Sequence, residues 1–175
     1  MKKRWIALAA AGVLLAGCQT TALKPMATVR EVDIDRFMGA WYVIANIPTF
    51  IEKDAYGAVD SYRRQPDGTV DITYTYRAGS FEGEMKTLRS KGFVEDASNA
   101  VWGVQFVWPF KADYRITHLA DDYSQTVIAR EKRDYVWIMA RTPTISDADY
   151  QRLLAVVADR GYDSARVQRV PQKRN

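Results

Sequence analysis

The chain has 175 residues, 47% of them hydrophobic and 26% charged, with a single cysteine and a single histidine. That length suits one domain with a packed core. One cysteine excludes an internal disulfide framework, and one Cys with one His excludes the common zinc ligand sets, so no metal site is expected. Setting aside Lys2, Lys3 and Arg4 of an acid-free leader leaves 22 of the 25 basic side chains against 21 acidic ones, a net of +1 in place of the formal +4. So even a balance gives no support to a nucleic-acid partner.

In chain order, Lys2-Lys3-Arg4 is followed by an apolar run over residues 5–16. Twelve residues fall short of the ~20 that cross a bilayer and fit the apolar region of a secretory signal. Leu15-Ala16-Gly17-Cys18 comes next, and it resembles the lipobox of bacterial lipoproteins. The resemblance implies that residues 1–17 are a cleaved signal peptide. Cys18 would carry a thioether-linked diacylglycerol and an N-acyl chain such as palmitate. Two or more acyl chains hold a protein stably, at about 0.8 kcal/mol per buried CH₂. Gln19, standing where an inner-membrane lipoprotein has Asp, implies lipid anchoring in the outer membrane on its periplasmic side. Residues 18–28 read as a lipidated tether, with Pro25 and no periodicity.

Residues 29–175 read as one all-β domain. Short runs alternating at period two are predicted as strands over 41–47, 56–63, 70–77, 85–94, 101–108, 114–119, 124–130 and 135–141. Gln65-Pro66-Asp67-Gly68 makes a hairpin of the second and third. Eight strands with short connections predict an antiparallel up-and-down β-barrel. After Pro143 a helix is expected, capped by Thr144 or Ser146, stopped by Gly161, and apolar along Tyr150, Leu153, Leu154 and Val157. Such a stripe must lie against the outside of the barrel. Residues 166–170 suit a short extra strand.

Gly39-Ala40-Trp41-Tyr42, entered from Asp33-Ile34-Asp35-Arg36-Phe37, resembles the Gly-X-Trp signature of the lipocalin family. Asp122-Tyr123 stands where lipocalins often have Thr-Asp-Tyr, with Asp121 departing at the first position. Arg141 ends the eighth strand, at the place of the basic residue that packs over the signature Trp. Residues 134–147 are similar to the bacterial and apolipoprotein-D-like subgroup, and the resemblance runs from about Val32 to Arg169. Physically, Trp41 is large enough to plug a barrel base, Arg141 across its ring would gain ~0.5–2 kcal/mol, and Gly39 frees the turn beneath. Gly39, Trp41 and Arg141 are therefore read as structural.

Function is then expected in the cavity, because an eight-stranded barrel points alternate residues inward around room for one small ligand. Alternation and the resemblance together give Tyr56, Ala58, Tyr62, Tyr74, Tyr76, Phe106, Trp108, Tyr114, Trp137 and Met139 as cavity residues. Val70, Ile72, Trp102, Val104, Ile116 and Tyr135 share those faces, and the fourth strand is left unassigned. Asp60 has inward parity, with Arg89 or Lys91 as partners. Aromatic walls suit an amphiphile, so the expected partner is a fatty acid or lysophospholipid, bound or shuttled in the cell envelope without a cofactor. An enzyme is not expected: the lipocalin isomerase type needs a cavity thiol. Two other readings stand beside this one: a structural protein with a filled barrel, contacting partners or a second copy through Val107 and Phe110, and a haem or enzymatic site at His118.

Overall fold

The computed structural model describes residues 24–173; residues 1–17, expected to be a signal peptide, and Cys18 lie outside the described residues. A short helix α1 (Ile34–Phe37) leads into β1 (Gly39–Ile47), β2 (Ala55–Arg64), β3 (Val70–Ala78), β4 (Met85–Val94), β5 (Val101–Val107), β6 (Phe110–Leu119), β7 (Gln125–Ala129) and β8 (Val136–Ala140). Helix α2 (Asp147–Asp159) and a two-residue strand β9 (Gln168–Arg169) follow. Each of β2 to β7 pairs with the next in sequence, β8 pairs with β1, and β1 pairs with β2, so the antiparallel sheet closes. β9 adds to the outer edge of β1 at Ala45 and Asn46.

The apolar character of β1 has a plain cause. Trp41 and Val43 belong to the core inside the barrel, whereas Ile44, Ala45 and Ile47 belong to a second core under α2. A register shift between Val43 and Ala45 moves the strand from one duty to the other. Buried on both faces, it has no use for the polar alternation seen in β3, where Asp71, Thr73 and Thr75 face out. Helix α2 is capped by Ser146, whose hydroxyl accepts from the Asp149 amide at 3.0 Å, and it buries Tyr150, Leu153 and Val157 against β1, β7 and β8.

One end of the barrel is closed. The Arg141 guanidinium lies 3.8 Å from the centre of the Trp41 ring and donates to the carbonyls of Ala40, Arg36 and Phe37 at 2.9, 2.8 and 3.1 Å. Trp41 Nε1 donates to the Phe37 carbonyl at 2.9 Å. Gly39 has φ of +92°, and a Cβ there would meet Arg141 Nη1 at 3.4 Å, so glycine serves both the turn and the close approach. Asp33 caps α1, and its own amide donates to the Tyr123 hydroxyl at 2.8 Å.

Two strand limits differ from expectation, with consequences for the site. Pro109 does not open a loop: β6 begins at Phe110, so β5 and β6 meet in a tight hairpin whose tip is Trp108-Pro109. β6 also shifts register between Ile116 and His118.

Candidate ligand-binding site

The lower interior is filled by rings. Phe37 packs on Trp41 at 5.1 Å and on Trp102 at 5.6 Å, and Trp102 stacks on Tyr114 at 5.2 Å. The hydroxyls of Tyr62 and Tyr114 share a hydrogen bond of 2.9 Å across this floor. Above it a cavity of about 160 Å³ opens toward the other end of the barrel. That is narrower than the ~300–1,000 Å³ usual for drug-sized ligands, and it suits an unbranched chain better than a ring system.

Six of the expected residues, Tyr62, Tyr74, Phe106, Tyr114, Trp137 and Met139, lie on its wall, with Ile72 and Val104. Ala58 and Tyr76 are buried in the interior cluster but do not line the cavity; Tyr76 packs on Tyr74 at 5.2 Å. Tyr56 is a correction. The strand shifts register between Tyr56 and Val59, which turns Tyr56 outward onto Phe81 at 5.2 Å. Trp108 is another: it stands at the hairpin tip, 81% exposed, because the strand ends one residue before it. The fourth strand resolves by pairing. Tyr74 opposes Leu88 and Ile72 opposes Ser90, so Leu88 and Ser90 face in while Arg89 and Lys91 face out.

His118 does not face the cavity. The register shift at Ile116 turns its ring toward α2, where burial first and then Arg152 and Arg160 hold its pKa below the usual imidazole range. Its Nε2 is buried without a hydrogen-bond partner among the described residues. A haem ligand or base inside the barrel is thereby removed from this position.

Asp60 does line the cavity. Neither expected partner reaches it: Lys91 pairs with Asp67 at 3.9 Å, and Arg89 stands on the outer face. Burial, and then the like charge of Glu52, push its pKa from 3.8 to about 8. Asp60 is therefore largely protonated at neutral pH, which makes it a hydrogen-bond donor in an apolar wall. Burial likewise raises Tyr62, Tyr74 and Tyr114, so the interior phenols stay neutral.

Two functional candidates, Glu52 and Arg130, stand outside the cavity set expected from the sequence. Glu52 lies in the connection between β1 and β2, residues 48–54, and folds back into the mouth. Its carboxylate accepts from Trp137 Nε1 at 2.7 Å and from the Thr49 amide at 2.9 Å, and Ile51 beside it reaches the interior. Arg130, just past β7, lines the upper wall with Asp113. Its Nη1 pairs with Asp134 at 3.3 Å, and its Nε is buried and unpartnered among the described residues. Arg130 is thus a fixed positive charge at the cavity entrance with a donor to spare.

The geometry has relatives. Residues 32–172 match the model of the lipocalin-like domain family. The chain is 30% identical over 159 residues to the outer membrane lipoprotein Blc of Citrobacter freundii, covering 90% of each chain. It is 27% identical to temperature-induced lipocalin-1 of Arabidopsis thaliana, covering 87% of this chain and 86% of that one. Among solved structures it is similar to lobster apocrustacyanin A1, with a TM-score of 0.64 at 13% identity over 86% of this chain and 92% of that one, a likeness of fold. A closed eight-stranded barrel, a base sealed by Gly39, Trp41 and Arg141, and an apolar interior open at one end go with the family match: this chain belongs to the lipocalin-like family, whose members are in general binders of small hydrophobic molecules and not enzymes.

Proposed function

We propose that this lipocalin is held on the periplasmic side of the outer membrane by acyl chains on Cys18 and binds fatty acids or lysophospholipids there. The observation that carries the reading is the narrow aromatic cavity with one cation, Arg130, at its entrance. A hydrocarbon tail enters between Tyr74, Trp137 and Met139, and an anionic carboxylate or phosphate stays above, where the Arg130 guanidinium can donate. Ten methylenes taken out of water gain ~8 kcal/mol, about the net a micromolar Kd requires, so the headgroup contact with Arg130 and a longer tail have to offset the costs of association. The outer-membrane names of the bacterial relatives and the lipobox-like Leu15-Ala16-Gly17-Cys18 support the location.

The test is titration of delipidated protein with a fatty acid, a lysophospholipid and the matching fatty alcohol, followed by tryptophan fluorescence. The acid and the lysolipid are expected to saturate one site with a Kd near micromolar. Arg130→Gln should weaken the anionic ligands about tenfold, the loss of ~1.5 kcal/mol from one charge-assisted hydrogen bond, and leave the alcohol unchanged. Absence of saturable binding by every amphiphile would refute the function, and equal weakening for acid and alcohol would refute the role of Arg130.

A further inference from the structure

The large apolar side chains that the described fold leaves exposed are gathered at one end. Phe50 (82% exposed) stands on the β1–β2 connection, Met85 at the start of β4, and Phe106, Val107, Trp108 (81% exposed) and Phe110 at the β5–β6 hairpin. All of these border the open mouth. The connections at the closed end, residues 65–69, 95–100 and 120–124, carry Pro66, Asp67, Gly68, Glu95, Ala97, Asp121 and Asp122 as their exposed residues. An exposed apolar rim around a cavity mouth marks a surface that meets something apolar.

The course of the chain says what. The Lys24 carbonyl accepts from Arg133 Nη2 at 2.6 Å, and the Met26 amide donates to the Glu131 carboxylate at 3.1 Å. Glu131 and Arg133 belong to the β7–β8 connection, at the mouth. From there the segment runs away from the mouth, with Val29 bonded to Ile116 and Val32 to Ser98 beside the closed end. Cys18 precedes Lys24 by six residues, a span of at most ~20 Å of extended chain. Strands of nine or ten residues are ~30 Å long, so a chain fixed at Lys24 keeps Cys18 within ~20 Å of the mouth, a reach shorter than the ~30 Å from Lys24 to the base.

We propose that the open end of the barrel docks onto the bilayer surface, with Phe50, Trp108 and Phe110 seated among the lipid headgroups, so that ligand passes between membrane and cavity without crossing water. This orientation rests on acylation of Cys18, which makes the occupant of the rim a lipid surface. Trp108, with an apolar ring and one N–H donor, has the chemistry of residues that settle at a membrane interface. The β1–β2 connection carries both a rim residue, Phe50, and the inward-folded Ile51 and Glu52, so contact of the rim with lipid acts on the entrance itself.

The test uses the full chain, processed and lipidated, in vesicles of phosphatidylethanolamine and phosphatidylglycerol. Acylation consumes Cys18, so Trp108→Cys, Phe50→Cys and Asp67→Cys each offer one thiol for a nitroxide at an exposed position. Power saturation should place the labels at 108 and 50 about 5–10 Å into the headgroup and acyl boundary, and the label at 67 in water. Labels at 108 and 50 as accessible to a water-soluble relaxant as that at 67 would overturn the proposal. So would strong 108–108 dipolar coupling that persists in vesicles, since a second copy would then cover the rim. Intact mass of the membrane-extracted protein reports the anchor, and the fatty-acid titration reports the cavity, so failure of either reading is seen separately.

Discussion

Asp60→Asn replaces an unpaired interior carboxyl with an amide of nearly the same shape, and the sign of its effect on stability follows from linkage. The Asp60 pKa rises from 3.8 to about 8 in the native barrel. Between those pH values the folded protein holds a proton that the unfolded chain has released. Stability therefore falls as pH rises through that window, is unaffected by Asp60 below it, and levels off above it. Each pH unit is worth ~1.4 kcal/mol, so the three units from pH 4 to 7 cost up to ~4 kcal/mol in a dry cavity. The carboxyl looks into a space that water can enter, which reduces the figure to ~2 kcal/mol.

Asparagine carries no such term. The variant should match the wild type near pH 4 and exceed it by ~2 kcal/mol near pH 7.5, a Tm gain of about 4–8 °C for a chain of this size. Urea unfolding of both proteins at three pH values across the window measures the difference directly. His118 titrates in the opposite sense, because its lowered pKa makes stability fall as pH drops below the ordinary imidazole range. It is present in both proteins, so it cancels. A stability difference that does not change with pH, or an asparagine variant weaker than wild type near pH 7.5, would refute the argument.

Arg141→Ala removes a ring contact and donors to the carbonyls of Ala40, Arg36, Phe37 and Tyr123, and should cost ~3–4 kcal/mol in urea unfolding. Arg141→Lys keeps the charge without the planar fork and should recover less than half of that. Leu153→Ala empties a fully buried site under α2; a loss of ~2–5 kcal/mol is expected, with fatty-acid affinity unchanged because the site lies outside the barrel. Trp137→Phe removes the donor that holds Glu52 in the mouth; loosening the connection by ~1 kcal/mol should speed ligand release several-fold in stopped-flow displacement.

The barrel could be read in the sequence wherever one face of a strand is wet and the other dry. In β3 the alternation of Val70, Ile72, Tyr74 and Tyr76 with Asp71, Thr73 and Thr75 is unbroken, and its ladder to β2 at that end is regular, so Tyr62 opposes Ile72 on the inward face expected of both. The reading failed where a bulge inserts a residue. One extra residue reverses the parity of all that follows: the shift after Tyr56 moved that ring outside, and the shift at Ile116 moved His118 from the cavity to the underside of α2. Neither bulge has a strong signature, although Gly57, with φ of +59°, marks the first. Glu52 and Arg130 were missed for a different reason. Glu52 lies beyond a strand end, where period two says nothing and only the folding-back of the connection brings it over the cavity; Arg130 shares the inward parity of Ile128 at the end of the expected strand 124–130, but its charge sets it apart from the aromatic wall.

Those residues also show why the cavity is more than leftover space. A small barrel can be filled by its own side chains, and the lower half of this one is. The upper half keeps polar atoms that the fold leaves unserved: Asp60 without a cation, the Tyr74 hydroxyl without a partner, and Arg130 Nε buried and unpaired among the described residues. Each costs the native state stability that an apolar side chain of the same size would not. Packing cannot explain their presence, since the floor a few ångströms below joins Tyr62 to Tyr114 and leaves neither hydroxyl alone. An amphiphile as proposed would supply what is missing at one of them, an anion for Arg130, while its tail covers the neutral Asp60 and Tyr74 from water. Under that reading the ligated barrel is the more stable one, and the destabilising carboxyl is tolerated because it stays protonated whenever the cavity is full.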